Sequence, residues 1–195
     1  MKRMKRFLSI LLVCLALLAA CTMSVSAADG FNSGAVQECI FLNDTGHNFG
    51  HCAMILVDAN NIGRFYSFQT GGLWKTTFSV AQLNQFMKDG IIPNVISDFQ
   101  FDRAIRFGIT AEEGQRMYDY AETHKFRNFY MYASFFTSFL PIFGDNCLSF
   151  VHSVFKAGSS KYNYLYPFGL PNVTFYTIRL RLKMSGVAYT LAYPG

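Results

Sequence analysis

Two apolar runs separated by a polar turn open the informative part of the chain. Ala35–Leu42 (Ala-Val-Gln-Glu-Cys-Ile-Phe-Leu) and His51–Asp58 (His-Cys-Ala-Met-Ile-Leu-Val-Asp) are short and apolar, and the Asn43-Asp44-Thr45-Gly46 cluster turns the chain between them. Both therefore read as strands. Asp58-Ala-Asn-Asn-Ile-Gly63 is a second turn, leading into a third strand, Arg64–Gln69, which Gly71-Gly72 ends. The opening is an antiparallel meander.

Helical periodicity takes over next. Ser79-Val80-Ala81-Gln82 and Thr110-Ala111-Glu112-Glu113 have the capping-box form, in which a hydroxyl and a carboxyl or amide satisfy each other's orphan N–H groups. The first predicted helix puts Val80, Leu83, Phe86 and Met87 on one face and stops at Gly90; the second runs to about Lys125 and packs Met117, Tyr120 and Ala121. Between them, Asn94–Ile109 alternates like a strand. A third helix is expected from Cys147, capped by Asp145 or Asn146, with Phe150, Val151, Val154 and Phe155 as its stripe and Gly158 as its stop. In the tail, Ile178-Arg-Leu-Arg-Leu-Lys183 alternates as a half-buried strand would, although Pro171 can open a helix; the alternation favours the strand. Strands followed by helices and further strands predict an α+β domain.

Charge sharpens the organisation. Of 17 Lys and Arg, four (Lys2, Arg3, Lys5 and Arg6) lie in the first six residues, and no acid precedes Asp29. The remaining 13 basic side chains face 12 acidic ones, so the rest of the chain is nearly neutral. That removes the basic face that nucleic-acid binding requires, and no nucleic-acid motif or phosphate loop is present. The basic start precedes an apolar run of about fourteen residues, Phe7–Ala20, short of the roughly 20 that span a bilayer. Residues 1–27 are expected to be a secretory signal, and 28–195 a single domain working outside the cytoplasm. Two processing routes are open: release after Val25-Ser26-Ala27, or lipidation at Cys21, since Leu18-Ala19-Ala20-Cys21 resembles a bacterial lipobox.

Removing the leader leaves Cys39, Cys52 and Cys147, or four cysteines if Cys21 is kept and lipidated. An odd thiol in an exported chain draws attention as a reactive group. Cys39 and Cys52 flank the predicted hairpin and are read either as a disulfide, leaving Cys147 alone, or as two buried free thiols. A thiol in the first turn of a helix faces unpaired N–H groups and the positive end of the macrodipole, both of which favour thiolate. It also needs a base. His152 lies five residues beyond Cys147 on the same helix, out of reach, and His124 ends a polar helical turn. His51 opens a strand, a rigid platform from which an imidazole can meet a helix terminus. His47, His51, Cys39 and Cys52 lack the compact spacing of a metal site, so no metal or other cofactor is expected.

Here a family resemblance enters. His51-Cys52-Ala53-Met54-Ile55 is similar to the His-x-Ala-Ile strand of the circularly permuted NlpC-type papain-like proteins, and Asn146-Cys147-Leu148-Ser149-Phe150-Val151 resembles their Asn-Cys-x-x-Phe-Val signature. This branch includes the lecithin retinol acyltransferase-like proteins. The resemblance runs from about Cys39 to Gly158 and implies a permuted papain-like fold, with Cys147 as nucleophile, His51 as general base and Asn146 capping the nucleophile turn. The family's third polar residue lies on the following strand, where the acyltransferases hold a second His. This chain has Ser67 and Gln69 on one face there instead.

The expected function is cysteine hydrolysis of an amide bond, with cell-wall peptide as the first substrate to consider. A non-catalytic cell-envelope module of the same fold and a thiol acyltransferase acting on lipid are the alternatives. In the aromatic run that starts at Phe126, Tyr130 and Tyr132 are candidates to line a groove beside Cys147.

Overall fold

The computed structural model describes residues 30–46, 50–93, 99–125, 145–163 and 170–194. Contacts divide the chain into Met1–Gly30 and Phe31–Gly195, and the fold described is that of the second unit. Its centre is a six-stranded sheet in the order β4-β3-β2-β1-β5-β6, every neighbouring pair antiparallel. The strands are β1 (Val36–Asp44), β2 (His51–Asp58), β3 (Gly63–Gln69), β4 (Gly72–Phe78), β5 (Arg103–Gly108) and β6 (Tyr189–Ala192). The helices are α1 (Val80–Asp89), α2 (Ala111–Thr123), α3 (Cys147–Gly158) and α4 (Pro171–Met184). The α+β expectation and the opening meander both hold.

The predicted caps operate. Ser79–Gln82 and Thr110–Glu113 form complete capping boxes at α1 and α2. Leu83 and Phe86 of α1 are buried, whereas Val80, assigned to the same face by periodicity, is exposed. Gly90 closes α1 at φ +70, where a Cβ would lie 2.1 Å from the Phe101 carbonyl oxygen. Only glycine fits that combination of backbone geometry and close approach.

Both faces of the sheet are covered. One layer packs α2, α3 and α4 against Cys39 and Phe41 of β1, Cys52, Met54 and Leu56 of β2, and Tyr66 and Phe68 of β3. The other packs Leu83 and Phe86 of α1, with Phe101, against Ile40, Leu42, Ala53, Ile55, Val57 and Phe65. Polar clamps hold the helices in place. Glu122 accepts hydrogen bonds from Arg64 at 2.9 Å and Tyr66 at 3.0 Å and pairs with Lys75, tying α2 to β3 and β4. Arg116 of α2 donates to the Gly158 carbonyl at 3.0 and 2.6 Å and holds the C-terminus of α3. Just beyond α3, Lys161 meets Glu113 at 2.7 Å and the Tyr162 hydroxyl donates to the same carboxylate at 2.7 Å.

The structure completes two expectations and corrects one. Gly71-Gly72 ends β3, and the meander continues through it into β4, an edge strand whose sparse apolar pattern hides it. The tail is helix, not strand: Ile178–Lys183 lies inside α4. Its alternation arises because α4 is apolar on two faces. Phe175, Ile178 and Leu182 are buried, while Tyr176, Leu180 and Met184 are exposed, so adjacent apolar positions belong to opposite sides of a helix. The strand near the tail is instead β6. Of the two readings of Cys39 and Cys52, that of two buried free thiols holds. Cys52 lies opposite Asn43 and Cys39 opposite Leu56, four positions along β1. At about 3.4 Å per residue that is roughly 13 Å, well beyond the ~7 Å limit for a disulfide.

Two stability predictions follow from this packing. Gly90→Ala should lower stability by more than about 1 kcal/mol in urea unfolding, because the new Cβ meets backbone. Burial of Glu113 would raise its carboxyl, but Lys161, the Thr110 amide and Tyr162 outweigh it and hold the group down to about 2 from an ordinary 4.5. A depressed carboxylate stabilises the fold fully above about pH 4.5, and that contribution is lost as pH falls towards 2. Glu113→Gln should therefore cost on the order of 3 kcal/mol at pH 7, with the gap from the parent chain closing in acid.

Candidate functional site

Cys147 is the first residue of α3, and its turn is built by Asn146. The Asn146 side-chain oxygen accepts from the Leu148 amide at 3.0 Å and the Ser149 amide at 2.8 Å, while the Asn146 amide donates to the Ser149 hydroxyl at 2.9 Å. This reciprocal cap fixes where the helix starts, so the thiol sits at the positive end of the helix. Cys147 is 5% exposed and Asn146 3%.

A second thiol lies in the same packed layer. Cys52 of β2 is fully buried on the face that carries α3. Burial pushes the Cys52 thiol up first, and Cys147 pushes it further. The proton therefore stays on Cys52. Directly across from Cys52 is Asn43, whose amide nitrogen donates to the His51 carbonyl at 3.1 Å. The side-chain oxygens of Asn43 and Asn172 are buried with no hydrogen-bond partner among the described residues. The Asn172 side chain, in the first turn of α4, lies over Gly50, where a Cβ would meet it at 2.9 Å.

His51 faces the other layer. Its ring stacks on Phe99 at a centroid distance of 4.0 Å and tilts against Phe101 at 6.0 Å. The ring nitrogen Nε2 hydrogen-bonds the Ser67 hydroxyl at 2.8 Å, and the Gln69 amide nitrogen donates to the same oxygen at 3.3 Å. Ser67 thus stands beside the imidazole from the next strand, with Gln69 behind it. The pairing of His51 with Cys147 is not formed. Strand side chains alternate, so the ring at position 51 and the thiol at 52 leave β2 on opposite sides, and α3 covers only the second.

The other histidines play different parts. His124 stacks on Tyr120 at the end of α2. His152 lies on α3, its pKa lowered by burial and then by the Lys156 charge. Cys21, His47, Tyr130 and Tyr132 lie outside the described residues. Among the described residues no cluster of three or more His, Cys, Asp or Glu could hold a metal, and no helix is long and apolar enough to cross a membrane. A cavity of about 380 Å³, lined by Glu38, Arg106, Gly108, Tyr189 and Thr190 among others, opens beside β5 and β6 at the end of β1 remote from Asn43.

Asn43 and Asn172 carry no signal in the sequence, and Cys52 is read there only as a disulfide partner, a metal ligand or a buried thiol. For Cys52 the signal was present: it directly follows His51 in a strand, so whichever layer receives one cannot receive the other. No family model, curated protein or solved structure matches the chain.

Asn146→Ala should cost about 1 kcal/mol in urea unfolding, the usual loss for an N-cap, and should slow alkylation of Cys147 by iodoacetamide. Asn146→Asp, which keeps an acceptor oxygen, should retain most of both.

Proposed function

We propose that the chain is a cysteine hydrolase of amide bonds in a permuted papain-like fold, with Cys147 as nucleophile, His51 as general base and Ser67 and Gln69 orienting the ring. The observation that carries this reading is the placement of Cys147 in the capped first turn of α3, where unpaired N–H groups and the helix dipole favour thiolate. The His51–Ser67–Gln69 chain is its second support. In the reaction Cys147 attacks the substrate carbonyl, the amine leaves with a proton from the imidazolium, and water then hydrolyses the thioester.

The resting arrangement is not yet the reacting one. His51 must leave the Ser67 and Phe99 side and reach Cys147 around the end of β2. It is the first residue of that strand and follows Gly50, which has φ +74. Breaking one buried hydrogen bond and one ring stack costs about 2–3 kcal/mol, so the paired form is populated to roughly one part in a hundred. Substrate contacts must offset that cost.

A second reading is a non-catalytic cell-envelope module of the same fold, favoured by the opposite-face placement of His51 and Cys147. Incubation with peptide-bearing cell-wall fragments decides between them. The hydrolase reading expects amide cleavage that falls at least a hundredfold in both Cys147→Ala and His51→Ala. No cleavage, together with a Cys147 alkylation rate unchanged by His51→Ala, would leave the binding module. A stable acyl adduct on Cys147 after incubation with lipid esters would point instead to thiol acyl transfer.

A further inference from the structure

Half of the large apolar side chains exposed among the described residues lie on one helix. Val173 of α4 is 38% exposed, Tyr176 and Leu180 57% and Met184 71%. Spaced three, four and four positions apart, they share about 80° of the helix circumference. That arc lies opposite the Phe175, Ile178 and Leu182 side, which packs into the domain. The row is about 16 Å long. A single exposed apolar residue needs no explanation, whereas a contiguous row marks a contact surface.

Charge selects the partner. All 12 acids lie at or before Asp145, and residues 146–195 carry five Lys or Arg with no Asp or Glu. Three of those five are on α4 and border the row. Arg179 and Lys183, both exposed, follow one edge, and Arg181 follows the other. Arg103 of β5 adds a fourth cation, its guanidinium 6.0 Å from the Tyr176 ring centroid and donating to the Tyr176 hydroxyl at 3.3 Å. Its chain neighbour Asp102 is engaged by the Thr45 amide at 3.0 Å. A second copy of the chain on this face would bring like charges together. A soluble polyanion would answer the cations but leave Leu180 and Met184 in water. An anionic lipid surface, apolar beneath a charged rim, satisfies both.

We infer that α4 docks the domain flat on an anionic lipid surface. Val173, Tyr176, Leu180 and Met184 enter the boundary between headgroups and acyl chains, as the apolar face of an interfacial helix does. Arg179 and Lys183 run their stems along the row and keep their charged heads at the depth of the lipid phosphates. Arg103 meets the same layer from the sheet. Arg181 donates to the Lys161 and Ser160 carbonyls at 3.0 Å, so it contributes its charge from a fixed position. The contact is peripheral and weakens with salt. It uses neither Cys147 nor His51 and is independent of the hydrolase reading.

The test exposes the full chain to hydroxyl radicals with vesicles of phosphatidylglycerol or of phosphatidylcholine, and reads oxidation residue by residue after digestion. Reading by residue separates this contact from any made by the apolar run Phe7–Ala20. Oxidation of Tyr176, Leu180 and Met184 should fall at least threefold on phosphatidylglycerol and little on phosphatidylcholine. Val80 of α1, exposed in the other layer, should keep its rate on both. In the double variant Arg179→Gln, Lys183→Gln the lipid concentration for half protection should rise about twentyfold, near fivefold for each cation. Leu180→Glu should abolish protection. Each of these side chains is exposed, so an unchanged urea midpoint is expected in both variants and shows that the fold is kept. Equal protection on the two kinds of vesicle, or none on either, overturns the inference. Protection that appears without vesicles and grows with protein concentration also overturns it, and assigns the face to a second copy of the chain.

Discussion

Burial of β2 on both faces is the constraint on which the rest depends. All eight of its residues are buried, so none can turn towards water and each must enter one packed layer or the other. Hydrophobicity alone does not choose between the two layers, because Met54 and Leu56 would suit either as well as Ala53, Ile55 and Val57. A shift of one residue would exchange every assignment. Polar contacts at the strand ends oppose that shift. The Asp58 carboxylate accepts from the amides of Asn32, Asn60 and Ile62 at 2.8–2.9 Å. At the other end the Asn43 side chain holds the His51 carbonyl. These bonds decide that the imidazole faces one way and the Cys52 thiol the other.

What could be read from the sequence follows the same logic. Ser79, Thr110 and Asn146 were legible as helix starts because a cap is a local device, satisfied by residues within one turn. The Ser67 and Gln69 positions beside His51 were legible because strand period and a short turn fix neighbours on one face. The layer that α3 covers was not legible. It depends on long-range packing against a strand whose two faces are equally apolar, and no local pattern encodes that choice. β4 was missed because Gly-Leu-Trp-Lys-Thr-Thr-Phe is half exposed at the sheet edge and carries little periodicity. α4 was misread because its outward side is as apolar as its inward side, which erases the contrast that normally marks an amphipathic helix.

The two halves of the candidate chemistry are thus held by different means. The imidazole is fixed by side chains on its own sheet, Ser67 and Gln69, and by the ring of Phe99. The thiol is fixed by a helix terminus whose geometry is independent of the sheet's polar contacts. Each half is well ordered by itself, and their relation is set by the strand between them.

The far end of α3 completes that picture. Arg116 grips the Gly158 carbonyl, and Glu113 holds Lys161 and Tyr162 in the turn that follows. With Asn146 locking its start, α3 is a rod fastened at both ends, one fastening being α2. The height of the Cys147 sulfur above β2 is therefore governed some three helical turns away, by residues that never approach it. Drift at positions 113 or 116 in descendants of this chain would retune the thiol's reach while leaving every group around it unaltered.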